Sequence, residues 1–168
     1  MKKMKHRISA LALLAITILS ASCVKQKLET TYNSQEDKID QYIEKNRIVS
    51  GDTLRVVYNE GAARLVTKEG EGPELTQNGN IAFYYAGYTF GGSISNSNLF
   101  VTNHEPSATA AGWTLTEDEA KALTINMNDY RLLPGLKSGL TGVKGGEECQ
   151  ILFTGKYGFG NKAFGTIP

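Results

Sequence analysis

Ile81-Ala82-Phe83-Tyr84-Tyr85-Ala86-Gly87-Tyr88-Thr89-Phe90 is the most β-like stretch of this 168-residue chain. Aromatic side chains at this density suit a pleated, half-buried surface, so the segment predicts a strand. On its N-terminal side, Leu54–Tyr58 and Arg64–Thr67 predict shorter strands. Glu69-Gly70-Glu71-Gly72-Pro73 and the dipeptide Asn78-Gly79 predict the turns between them. On its C-terminal side, residues 91–112 are rich in Gly, Ser and Asn and predict an irregular loop. Thr116-Glu117-Asp118-Glu119 predicts a capping box opening a short helix through Leu123. Ile125-Asn126-Met127 predicts a strand, Gly135–Val143 one or two helical turns, and Gln150–Thr154 a closing strand. Eighteen glycines against four prolines agree with a turn-rich β fold rather than a helix bundle.

The first residues read as an export signal. Lys2, Lys3, Lys5 and Arg7 precede an apolar run from Ile8 to Leu19, and Ser20-Ala21-Ser22 supplies small residues before Cys23. The run is shorter than the roughly 20 residues that span a bilayer, which argues against a retained anchor helix. The approach to Cys23 resembles the lipobox of bacterial lipoproteins, with Ser20 where a leucine is usual. It implies lipidation at Cys23 and removal of residues 1–22; a plain secretory signal is the alternative. That removal takes four basic residues and no acidic ones, shifting the net charge from +1 to −3. Residues 23–33 then predict a lipid-anchored tether. Ser34, with Glu36 and Asp37 behind it, predicts the start of an N-terminal helix within residues 34–50, with Ile39, Tyr42 and Ile43 as its apolar stripe. The remaining residues, 51–168, read as one domain.

Most chemistries lack their parts. Of two histidines, His6 lies in the signal and His104 in the loop, and no second ligand stands at metal spacing. There is no Gly-x-Ser-x-Gly elbow and no phosphate- or dinucleotide-binding glycine loop. Charge close to zero gives no field for nucleic acid. Cys149 shares a predicted strand face with Ile151 and Phe153, which predicts a buried, unreactive thiol and no disulfide. Aromatic and aliphatic side chains beside glycine turns remain, and these suit an apolar binding cradle.

Three segments, in order, resemble the FKBP family of peptidyl-prolyl isomerases. They are Ala82–Tyr88; Leu133-Pro134-Gly135-Leu136-Lys137-Ser138-Gly139-Leu140 with Val143 and Gly146-Glu147; and Tyr157-Gly158-Phe159-Gly160 running on to Ile167-Pro168. The resemblance covers roughly Gly72 to Pro168. It implies an α+β fold, a curved antiparallel sheet wrapped on a short helix, here with an extra N-terminal helix. It also implies a catalytic pocket of Tyr85, Phe100 and Tyr157, with Leu133, Leu136 and Phe164 lining it, and no cofactor or metal. Its substrates would be proline-containing polypeptides, met at a cell envelope, on the bacterial outer membrane, through the lipid on Cys23.

The sequence departs from the family at three places. Val101 stands where the family has a pocket aspartate, and Leu136 where a tryptophan is common. The family's final strand would follow Pro168, so a chain cut short at its C-terminus is expected. These departures keep open a non-catalytic peptide- or protein-binding module, and a structural lipoprotein docking through residues 34–46.

Overall fold

A computed structural model describes residues 25–160, which belong to two units divided after Ser34. In the first, residues 25–34 are helical. Lys25-Gln26-Lys27-Leu28-Glu29 is a run of strong helix formers. Thr30 and Thr31 fit the helix by donating their hydroxyls to the carbonyls of Gln26 and Lys27, each at 2.9 Å. The described part of the expected tether is therefore helical, and Ser34 lies within helical backbone instead of capping it. Cys23 and the signal segment lie outside the described residues. No helix among the described residues is long and apolar enough to cross a membrane.

The second unit opens with α1, residues 35–46. A small hairpin of β1 (Ile48–Val49) and β2 (Asp52–Thr53) follows. Strands β3 (Val56–Asn59) and β4 (Ala62–Lys68) form a second hairpin across Glu60-Gly61. Both turn residues have positive φ, 39° and 82°, the pattern of a two-residue turn whose twist matches the strands. Strand β9 (Glu148–Phe153) pairs antiparallel with the other edge of β4, which makes β4 the centre of a three-stranded sheet.

Alternation along β4 and β9 sends side chains to two faces. Ala63 and Leu152, paired in register, meet Ile39 and Ile43 of α1, with Tyr42, Val56 and Phe90 around them. The Tyr42 hydroxyl donates to Gln150 Oε1 at 2.9 Å on this side, and the Gly155 N–H donates to Gln35 Oε1 at 2.8 Å. Ile39, Tyr42 and Ile43 thus form the stripe read from the sequence, turned onto their own domain. Arg64, Ile151 and Phe153 face the opposite way, toward α3 (Pro134–Leu140).

The long β-like stretch is not one strand. It divides into β5 (Asn80–Phe83) and β6 (Ala86–Tyr88), with Tyr84 and Tyr85 between. β6 pairs with β7 (Leu99–Thr102), whereas β5 pairs with β8 (Leu123–Asn126). The expected loop at 91–112 contains β7 and a short helix, α2 (Glu105–Ala110), started by Pro106 in its first turn. The box at Thr116 does form: the Thr116 N–H and hydroxyl both donate to Glu119 Oε2, at 2.8 and 2.9 Å. It closes a single turn, not a helix, because Leu123 already pairs with Phe83 in β8. The result is an α+β fold of antiparallel strands on a short helix, with a helix ahead of them.

Candidate functional site

Tyr85 sits at the break between β5 and β6, half-buried, with its ring 5.7 Å from that of Phe83. Its backbone is held from both directions. The N–H donates to Asn103 Oδ1 at 2.6 Å, and the carbonyl accepts from the Thr102 hydroxyl at 2.7 Å and the Asn103 N–H at 3.2 Å. Two residues on, Gly87 lies opposite Val101. A Cβ at Gly87 would come within 2.8 Å of Val101 Cγ1 and 3.1 Å of the Phe100 ring, so glycine is what lets β6 and β7 close here. Phe100 is half-buried beside it, and Val101, opposite Gly87, is 36% exposed. Tyr84 is turned outward, 59% exposed, with its ring 6.4 Å from that of His104.

Helix α3 carries the next group of expected site residues. Leu133 caps its start and Pro134 fills the first position, where the missing N–H is not needed. Leu136 packs in a cluster built on Met127, Leu140 and Val143 that also takes in Phe83, Ile81, Ile125 and Ile151. Phe83 therefore meets the Tyr85 ring and also packs against the cluster on which Leu136 lies. Gly135 and Gly139 allow α3 to lie directly on β9, since a Cβ on either would overlap Phe153 or Ile151.

The far end of α3 is tied down by a buried cation. Arg64 Nη1 donates to the carbonyls of Gly139 (2.7 Å) and Thr141 (2.8 Å), groups that the helix leaves without internal partners. Its Nε lies 3.2 Å from Glu147 Oε1 as an ion pair without hydrogen-bond alignment. The Arg64 and Glu147 side chains are 3% and 0% exposed. Arg55 lies 3.3 Å from the other Glu147 oxygen and forks onto Glu69 at 2.7 and 2.8 Å.

Tyr157, in the turn after β9, lies against the β3–β4 hairpin: a Cβ at Gly61 would overlap its ring. Tyr85 thus meets Phe83, Phe100 lies beside Gly87, Leu136 packs in the cluster at α3 that also takes in Phe83, and Tyr157 lies against Gly61. Phe159 follows two residues later, 43% exposed. Phe164 and Ile167-Pro168 lie outside the described residues. Cys149 is half-buried, and burial, with the Glu147 carboxylate adding to it, pushes its thiol up to about 11. No group of three or more His, Cys, Asp or Glu able to hold a metal occurs among the described residues.

Sequence reading passed over two residues, Asn103 and Arg64. Asn103 stands in a Ser- and Asn-rich stretch that reads as loop, and Arg64 carries no signal beyond its place in a predicted strand. Only the tertiary pairing reveals their partners.

No curated protein matches the chain at a significant level. The family profile described as FKBP-type peptidyl-prolyl cis-trans isomerase matches residues 76–168, more than half of the chain, and takes in β5 through β9, α3 and every candidate pocket residue. The chain belongs to the FKBP-type peptidyl-prolyl cis-trans isomerase family.

Proposed function

We propose that the protein catalyses cis–trans rotation of X-Pro bonds in exported polypeptides at a cell-envelope membrane, held there by a lipid on Cys23. What supports this reading most is that the family match takes in Tyr85, Phe100 and Leu136, the residues expected to form the pocket. The reaction needs no nucleophile. Rotation of a peptide bond faces a barrier of ~18–20 kcal/mol, and an X-Pro bond takes tens to hundreds of seconds unaided.

The planar amide is stabilised by resonance that places charge on oxygen and nitrogen, and the twisted transition state loses it. An apolar cradle that strips water from the amide penalises the planar form more than the twisted one. In this reading Phe100 and Leu136 receive the prolyl ring, and the Tyr85 hydroxyl holds a flanking carbonyl. Each 1.36 kcal/mol of such preferential binding raises the rate about tenfold.

A protease-coupled assay on an X-Pro peptide tests the proposal. Wild type is expected to exceed the uncatalysed rate, and Phe100→Ala to lose about tenfold or more in kcat/KM. A folded wild type that binds the peptide without accelerating it would instead support a non-catalytic binding module, which the side chain of Val101 in place of an acid favours. Membrane fractionation tests the anchor: Cys23→Ser is expected to leave the membrane fraction, and unchanged partition would remove the lipid from the account.

A further inference from the structure

The segment that carries Tyr85 changes strand partner there. β5 is paired with β8 up to Phe83↔Leu123, and β6 with β7 from Ala86↔Thr102. Residues 103–122 intervene between the two partner strands, so neither supplies a backbone peptide opposite the Phe83–Tyr85 step. The Asn103 side chain takes that place. Its Oδ1 accepts from the Tyr85 N–H at 2.6 Å, and its Nδ2 donates to the Phe83 carbonyl at 3.2 Å. The second Nδ2 proton goes to the Lys121 carbonyl at 2.9 Å, at the far end of the insertion. Asn103 is 6% exposed, so water does not compete freely for these groups.

A carboxamide has the acceptor and donor of a peptide group on one planar frame. It therefore splices the ladder where the chain cannot, and it closes the insertion by the same contact. From this we infer that Asn103 is a positioning residue for the isomerase reaction, fixing the backbone of Tyr85 and so the aim of its side chain at the substrate. The inference rests on the isomerase reading of this pocket.

Asn103→Ser removes the carboxamide while keeping a small polar side chain. Asn103→Asp keeps the shape and the bond from the Tyr85 N–H, but turns an anionic oxygen toward two carbonyls. Each should lower kcat/KM about tenfold or more in the peptide assay, mostly through kcat, with KM changed much less. The decisive measurement is a double-mutant cycle with Tyr85→Ala. If Asn103 acts through Tyr85, its substitution costs less than about twofold once that side chain is gone.

Equal losses on both backgrounds, with an active wild type, would show that Asn103 only supports the fold and overturn the inference alone. Failure of both variants to fold, judged by circular dichroism at the assay temperature, overturns it in the same sense. A folded wild type with no rate above background overturns the isomerase reading and this inference with it.

Discussion

Three residues show how strongly position on β9 decides what a side chain does. Ile151 is pressed onto Gly139 of α3, where a Cβ would overlap it. Gly139→Ala should therefore cost about 1–3 kcal/mol through overpacking, read as a lower urea midpoint at unchanged slope. An unchanged midpoint would mean that α3 moves away from β9 at no cost. Cys149, two residues earlier, has its thiol pushed up to about 11 by burial and by the Glu147 carboxylate. The folded chain then holds this proton more tightly than the unfolded chain, whose thiol titrates near 9.0. Stability is complete below about pH 9 and falls as pH rises toward 11, by about 2 kcal/mol at pH 10.5. Urea midpoints at pH 8 and pH 10.5 check this: wild type should lose more than Cys149→Ala, and equal losses would refute the assignment. Phe153 completes the row against Gly135.

At the level of elements, α3 is held by its glycines on one side and by Arg64 at its end. Arg64 and Glu147 are both buried, so removing one partner leaves an uncompensated charge. Glu147→Gln should destabilise the domain by about 3–5 kcal/mol, whereas replacing both with apolar residues of similar volume should cost less than the single change. Chemical denaturation of Glu147→Gln and of the double replacement checks the order; a double replacement worse than the single one would sink it. This same pair marks the limit of sequence reading. The strands at β3, β4, β8 and β9, the turn at Asn78-Gly79 and helix α3 were legible because alternation, glycine placement and a proline start are local signals. The break at Tyr84–Tyr85 was not, because each half satisfies the same β pattern and only the two different partner strands divide it. The short helix expected after Thr116 carried a correct capping signal, which closes one turn before pairing with β5 overrides it. Tyr85, Phe100 and Leu136 could be proposed for the site through the family resemblance. The supports of Tyr85 and α3, Asn103 and Arg64, could not, since their roles depend on contacts 18 and 75 residues away.

The whole molecule is larger than the segment that identifies it. The family match begins at residue 76, after β3, β4 and α1. Yet β4 is the central strand of its sheet, and it alone pairs with β9 among the described residues. It also carries Arg64, which reaches the end of α3. On its other face, Ile43 of α1 is 0% exposed against Ala63 and Leu152. Losing these pieces strips both the ladder and the apolar cover from β9 at once. Burial of a few aliphatic side chains is comparable to the total stability of a small domain, so the matched segment lacks the means to fold alone. A fragment from Glu69 onward should show no cooperative denaturation, while Ile43→Ala in the full chain should remain folded with a loss of about 2–5 kcal/mol. Cooperative unfolding of the fragment, with β-sheet circular dichroism, would show instead that β4 and α1 are additions to a core complete without them.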